Sequence, residues 1–583
     1  MAAPTSYRLA FHDPHAHLID VEARFRDLGS FGDAVIVRMA SWTPGSYLVR
    51  DYARHVQDVE ARSAEGRPLA VTKVDKAAWR VELAGAREIA VRYRVYAFEL
   101  TVRTSHVDGS HAFVNGAPTY LWLEERAGSA HEVVVEAPPG WRVVTGLRAE
   151  GGAYVAQDLD ELIDSPIHAG DGPVRELDIA GRQHELVVWG RADAGAASLD
   201  DLERDTARIV AAYADLFGGL PYQRYAFLLM LAGGARGGLE HRASTALLAS
   251  PQAFTTRKRY EDLLELVSHE FFHLWNVKRL RPRALGPFDY TRENYTRALW
   301  VVEGMTSYYD RYTLRRTGLI TPKRYLEKLA EEWGALLALP GRKKQSVEDS
   351  SFDAWIKLYR PDENSLNTTV SYYLKGSLVC LALDLEIRRR TAGARSLDDA
   401  LLALWRGYGQ SGRGYADDAV QAEIERAVEL DVERFFARCV RGREDPDLAG
   451  ELRAIGYELR VKADKDDDGA AGWLGATTRA DGGRVYVASV PTGGPAEAAG
   501  LYAGDEIVAV DGFRVGDEKA LADRLGARRP GAKARLLVFR RDEEKPVDLV
   551  LGEKPPSWEI VSAPGAGDAE QRLGRAWLGE ESS

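Results

Sequence analysis

Two histidines four residues apart, with a glutamate directly after the first, stand in the run Val267-Ser268-His269-Glu270-Phe271-Phe272-His273-Leu274-Trp275. On a helix four residues turn roughly 400°, so His269 and His273 leave one face about 5–6 Å apart, a spacing at which two imidazoles grip one zinc ion. Glu270 lies one step round the helix, where a carboxylate can take a proton from water and pass it to a departing amine. Zinc suits that chemistry because it lowers the pKa of a water it binds from 15.7 to about 7. A catalytic zinc takes three protein ligands. The stretch from Leu299 to Tyr309 carries a single carboxylate, Glu303, among apolar and aromatic residues of helical pattern. An unpaired acid is costly to bury there, so Glu303 is the expected third ligand and one Zn2+ per chain the expected cofactor.

Two further segments offer substrate contacts. An apolar run from Tyr225 to Leu231 reads as a strand that leads into Gly237-Gly238-Leu239-Glu240-His241. Glycines let a backbone approach a ligand closely, and an edge strand pairs with an extended peptide, so Glu240 is placed to hold a cationic α-amine. The competing reading is a Gly-rich turn with solvated Glu240 and His241. Tyr372-Tyr373-Leu374-Lys375-Gly376 opens a helix. A tyrosine hydroxyl near zinc would donate to the oxyanion of a tetrahedral intermediate; the alternative is plain packing.

These residues need a scaffold, and the chain supplies one. Its 583 residues are 45% apolar and 28% charged, the composition of a folded chain of several domains rather than a disordered one. Lys and Arg number 77 against 88 Asp and Glu, a net charge of −11, so no global positive field attracts nucleic acid or anionic lipid. No apolar run approaches the roughly 18–20 residues that span a bilayer, and the first residues lack a signal-peptide pattern. The expectation is a cytoplasmic protein, or a periplasmic or secreted one if the chain is processed, with neither membrane nor nucleic acid as partner. Cys380 and Cys439 are the only cysteines, which excludes a disulfide framework and a Cys-rich metal site.

Period-2 stretches separated by Gly, Pro and Asp turns fill residues 1–175, an all-β domain. Helical spacing begins after Ser198, a natural N-cap, and dominates 176–457, an α+β domain. Residues 458–471 read as a charged linker, 472–556 as a compact β-rich module with one short helix, and 557–583 as a peripheral tail. Within the linker, Asp464, Asp466, Asp468 and Gly469 imitate the start of a calcium loop, but Gly475 stands where its bidentate Glu belongs, so a solvated linker is expected. His12, His15 and His17 are expected on the surface rather than on a second metal.

Taken together, His269-Glu270-x-x-His273-Leu-Trp-Asn-Val-Lys-Arg, Leu-Trp-Val-Val-Glu303-Gly-x-Thr-Ser-Tyr-Tyr, Gly-Gly-Leu-Glu240-His and the early Trp42-Thr43-Pro44-Gly45-Ser46-Tyr47-Leu48-Val49-Arg50-Asp51-Tyr52 resemble the glycyl aminopeptidase family of gluzincin metallopeptidases. The resemblance implies an N-terminal all-β domain, a thermolysin-like catalytic domain with a helical C-terminal part, and a PDZ-like domain. It also implies a zinc aminopeptidase that removes N-terminal Gly or Ala from peptides. In the related aminopeptidase N, a Gly-x-Met-Glu-Asn strand binds the substrate's free amine. Gly237, Gly238, Glu240 and His241 look like its counterpart, with His in place of Asn. The Tyr-x-Lys-Gly of that relative resembles Tyr373-Leu374-Lys375-Gly376, which selects Tyr373 as the residue stabilising the transition state. Trp473-Leu474-Gly475-Ala476, with Gly494-Pro495-Ala496 and Gly504-Asp505 further on, resembles PDZ domains of bacterial heat-shock serine proteases, whose Leu-Gly loop cradles a C-terminal carboxylate. Two departures stand out. Ser307 occupies the place of the Asp that orients a zinc histidine in thermolysin-type enzymes, which makes Asp310 the nominated substitute, and the stretch between His273 and Glu303 is longer than in aminopeptidase N. The rival readings are an endopeptidase with PDZ-recruited substrates and a non-catalytic peptide-binding scaffold.

Overall fold

Alternation in the first third of the chain produces three sheets. In the computed structural model, which describes residues 3–462 and 471–580, the strand Ile89–Tyr96 alternates strictly between buried and outward positions. It belongs to an eight-stranded sheet in which Thr5–Ala10 lies between Leu18–Phe25, antiparallel, and His131–Glu136, parallel. A four-stranded sheet built on Ala34–Arg38 and Ala78–Glu82 faces the same core, where Leu9, Ile19, Val37, Trp79 and Val91 are buried. In the third sheet, His111–Val114 lies between His106–Val107 and Ile167–Gly170.

A five-stranded mixed sheet follows, in the order Val174–Ile179, Arg182–Trp189, Arg224–Leu231, Ser244–Ala249, Gly237–Glu240. The middle three strands are parallel, and Arg224–Leu231 is buried at every position after its first, which explains its unbroken apolar sequence. Gly237–Glu240 ends the sheet as an edge strand, with Glu240 opposite Thr245. Ser198 caps the helix Leu199–Phe217 through a capping box with Asp201, and Gly218 closes it at φ 76°. The helix Arg257–Phe272 is capped by Thr256. These elements form one compact unit, residues 1–296, 309–320 and 401–420.

The second unit comprises 297–308, 321–400 and 421–583, so the two units cut across the stretch 176–457. It contains the long helices Pro322–Leu337 and Leu374–Arg390 and a β-rich module with its own apolar core of Val485, Ile507, Leu521, Leu536 and Leu549. The fold class follows the expectation: an all-β beginning, a helical middle, and a PDZ-like module. Two segments differ. The expected linker 458–471 begins inside a strand, Tyr457–Val461, which pairs with Trp558–Ser562 of the supposed tail. That tail continues into a helix, Asp568–Trp577, whose Trp577 is fully buried near Tyr325 and Tyr457. An apolar residue spacing hidden among Pro and Gly was enough to anchor it. Asp464, Asp466 and Asp468 lie outside the described residues. No helix among the described residues is long and apolar enough to cross a membrane.

Candidate metal and peptide site

His269 lies in the last turn of the helix Arg257–Phe272, and His273 is its C-cap residue. Each ring is oriented from behind. His269 Nδ1 meets Asp310 Oδ2 at 2.9 Å, and His273 Nδ1 donates to the Asn276 carbonyl at 2.6 Å. An acceptor at each Nδ1 keeps the proton there, so each Nε2 presents its lone pair as a ligand atom. The two Nε2 atoms face one another at 3.2 Å. Nitrogens ~2.0–2.1 Å from a tetrahedral zinc stand about 3.3 Å apart. The donor pair therefore fits zinc. Asp310, nominated from sequence in place of Ser307, does orient His269. Burial pushes its carboxyl above the ordinary range, against the pull of Arg311.

Glu303 is 2% exposed and sits in a π-helical turn, Trp300–Gly304, that runs on into the helix Met305–Arg316. Such turns are rare inside helices and re-aim the residues they carry. Among the described residues of the first unit, Glu240, Glu270 and His273 form a group whose ligand atoms lie within 4.8 Å of one another.

Gly304 also explains where Tyr373 comes to rest. A Cβ on Gly304 would stand 2.7 Å from Gly376 Cα, so two glycines let this helix meet the start of Leu374–Arg390, which Tyr373 caps. Burial, followed by the nearby Glu303 charge, raises the Tyr373 hydroxyl well above its usual pKa. Tyr373 is therefore a proton donor at any ordinary pH. Its hydroxyl lies 3.3 Å from that of Tyr359, while the fully buried Tyr372 stacks on its ring at 4.8 Å.

The edge strand lies against the helix of the two histidines. A Cβ on Gly238 would run into the Glu270 carboxylate, so only glycine lets the strand pass that close to the candidate base. At Gly237 the nearest neighbour of such a Cβ is Arg103 Nη1 at 3.4 Å. Glu240 is 4% exposed, and its Oε1 is buried without a hydrogen bond. Lys278 Nζ stands 3.9 Å from that oxygen but donates to Asp164 Oδ1 at 2.7 Å. His241 turns its Nδ1 to the same Asp164 at 3.2 Å. Glu240, at the end of the strand, and His241, directly after it, are thus both buried rather than solvated. Burial alone would raise the Asp164 carboxyl, yet Lys278 and His241 hold it at about 2. Glu240, Asp164, Lys278 and Gly45 line a cavity of about 260 Å³. A Cβ on Gly45 would collide with both Glu240 oxygens, which gives the early Thr43-Pro44-Gly45 segment its place beside the site. Sequence reasoning missed Asp164 and the partnership of Lys278, since neither lies in a motif with spacing to read.

In the C-terminal module, Gly472–Trp473 pairs with Gly552–Glu553, and Leu474 is buried in the module's core against which Ala476 packs. Gly475 has φ 77°, and a Cβ there would strike Pro495. Thr477–Asp481, directly after this loop, is the sheet's edge strand.

Comparisons with known proteins agree with this geometry. Residues 6–171 match the Peptidase M61 N-terminal domain, 262–379 the M61 glycyl aminopeptidase domain, and 472–551 a PDZ domain. The crystal structure of an aminopeptidase N family protein from Idiomarina loihiensis is similar at a TM-score of 0.91 and 32% identity, over 98% of this chain and 100% of that one. An M1 zinc metallopeptidase from Deinococcus radiodurans is 15% identical with a TM-score of 0.47, over 76% of this chain and 96% of that one. Among curated proteins, a probable periplasmic serine endoprotease DegP-like from Rhizobium meliloti (strain 1021) is 31% identical over 129 residues, 20% of this chain. The match spans about a quarter of that relative's length, 25%.

Proposed function

Because the chain belongs to the M61 glycyl aminopeptidase family, we propose that it is a zinc-dependent aminopeptidase that removes small N-terminal residues, Gly or Ala, from peptides. The observation that carries the reading is the pair of Nε2 atoms facing at 3.2 Å, each on a ring whose other nitrogen is already engaged. His269, His273 and Glu303 would hold the ion. Bound there, zinc supplies Lewis acidity to the scissile carbonyl and to the attacking water.

The chain's own side chains do the rest. Glu270 takes the proton of the attacking water and hands it to the departing amine. A peptide laid along Gly237–Glu240 as a further strand hydrogen-bonds to the open edge and brings its N-terminus to Glu240. Lys278 is matched by Asp164, which leaves the Glu240 charge for the incoming α-ammonium. Tyr373 donates to the developing oxyanion, a role its persistent protonation suits. The preference for Gly or Ala rests on family membership. The PDZ module, with its Gly475 loop beside an edge strand, would take C-terminal peptides as a second, non-catalytic partner through Trp473, Leu474, Gly475 and Ala476.

The test is hydrolysis of glycyl- and alanyl-p-nitroanilide beside their N-acetylated forms, before chelation, after it, and after zinc is restored. Chelator-sensitive cleavage of the free-amine substrates alone is expected. Equal cleavage of the blocked substrates would replace this reading with an endopeptidase, and no cleavage of either with a scaffold.

A further inference from the structure

A second cluster of metal-ligating side chains lies far from His269 in sequence, in the N-terminal β region. His106 and His111 flank the turn between the strands His106–Val107 and His111–Val114, and Asp108 is on the turn itself. The three offer ligand atoms within 4.8 Å of one another. His106 is 5% exposed and His111 0%. Neither is satisfied by the protein: His106 Nδ1 and both ring nitrogens of His111 are buried without a hydrogen bond. Buried polar atoms normally find partners, so orphaned ring nitrogens on two histidines beside a carboxylate call for an explanation.

We propose that His106, Asp108 and His111 bind a second divalent transition metal of the zinc type, independent of the His269 site. The ligand types are those zinc favours, two imidazoles and a carboxylate, with room left for a water. His111 Nδ1 already lies 3.5 Å from Asp108 Oδ1, close to the ~3.3 Å edge of a tetrahedral site. Outer partners hold the ligands in place. Trp189 stacks on His111 at 3.7 Å and donates from Nε1 to Ser110 Oγ, which in turn donates to Asp108 Oδ1 at 2.7 Å. His17 donates from Nδ1 to the Val107 carbonyl at 2.7 Å, fixing the strand between the two ligands.

An ion can enter from solvent on the Asp108 side, where that side chain is 32% exposed. His15, exposed as expected from sequence, lies against Gly109 of the same turn.

The experiment is zinc stoichiometry by equilibrium dialysis on the chelator-stripped full chain, for the parent protein, His106→Gln and Asp108→Asn. Each variant is expected to bind one zinc fewer than the parent while peptidase activity and far-UV circular dichroism stay unchanged. Because the readout is a difference, it holds whether or not the His269 site binds zinc. Asp108→Asn keeps the turn's acceptor oxygen and guards against misfolding. Equal stoichiometry in the parent and the folded variants overturns the proposal.

Discussion

All twelve histidines of the chain fall in the first compact unit, whereas the second has none and holds both cysteines. Both units bury paired charges, Lys278 with Asp164 in the first for instance, but only the first also buries imidazoles. In the first, burial keeps imidazoles neutral, with His131 and His184 at about 4 and His168 at about 3. In the second, charge is buried with its partners. Asp384 accepts from the Tyr308 hydroxyl, Arg388 Nε and the Leu397 amide, and Lys375 donates to the carbonyls of Arg342 and Arg443. A neutral imidazole in a dry site is stable only while the solution stays less acidic than its unfolded pKa; a paired charge is far less exposed to that choice. The difference teaches that mild acid should weaken the first unit before the second.

The comparison is sharpened most by the variants with the largest expected effects. Glu270→Gln, in the first unit, should keep bound zinc and lower kcat by about 10²–10⁴. Tyr373→Phe, in the second, should lower kcat by about 10²–10³ with zinc content and KM little changed. Zinc analysis beside steady-state kinetics checks both, and loss of metal in either would break the assignment of roles.

Acid comes next in size. The folded pKa values of His131, His168 and His184 lie below an unfolded value of about 6.5, so the unfolded chain binds more protons in the interval. Their contribution is complete above pH 6.5 and is lost as pH falls toward 4. At pH 4.5 each costs on the order of 2 kcal/mol. Hydrogen exchange read peptide by peptide should show protection falling in the first unit before the second; a uniform loss would falsify the contrast. Asp310→Asn should weaken zinc binding by about 10–100-fold without unfolding the chain, as a competitive chelator titration would report.

The smallest effect belongs to Lys375. Burial lowers its folded pKa to about 8, below the unfolded 10.5, so the penalty for burying its charge applies in full below pH 8 and fades as pH rises toward 10.5. The second unit should therefore gain slightly in stability through mild alkali, an increment that Lys375→Met removes in melts followed between pH 7.5 and 9.5.

The two facing histidines were legible because the helix period ties spacing to geometry. Glu303 was legible as an isolated acid in an apolar run, although nothing in that run announced its π turn. Asp310 could be nominated only through the absence of a carboxylate at Ser307. Other parts were not readable, for physical reasons. Asp164 and Lys278 meet across 114 residues of sequence, and no local period encodes such a contact. Gly238 reads as a point of close backbone approach, yet nothing in the sequence says that the group it makes room for is the Glu270 carboxylate. Trp577 was passed over because Pro and Gly punctuation resembles a loose tail, while the burial of a single indole decides otherwise.

The pairing of Tyr457–Val461 with Trp558–Ser562 bears on the order in which the protein is made. The PDZ-matching residues 472–551 lie wholly between these two strands, as an insertion in a hairpin. During synthesis the first strand emerges long before its mate, so its edge stays open while the intervening domain is translated and folds. Only then is a hundred-residue loop closed, and a compact insert brings its ends together at far smaller entropic cost than an unfolded one. The PDZ module would thus act as a folding clasp for the helical unit. A defect in its core would surface first as delayed closure of a sheet to which it contributes no strand.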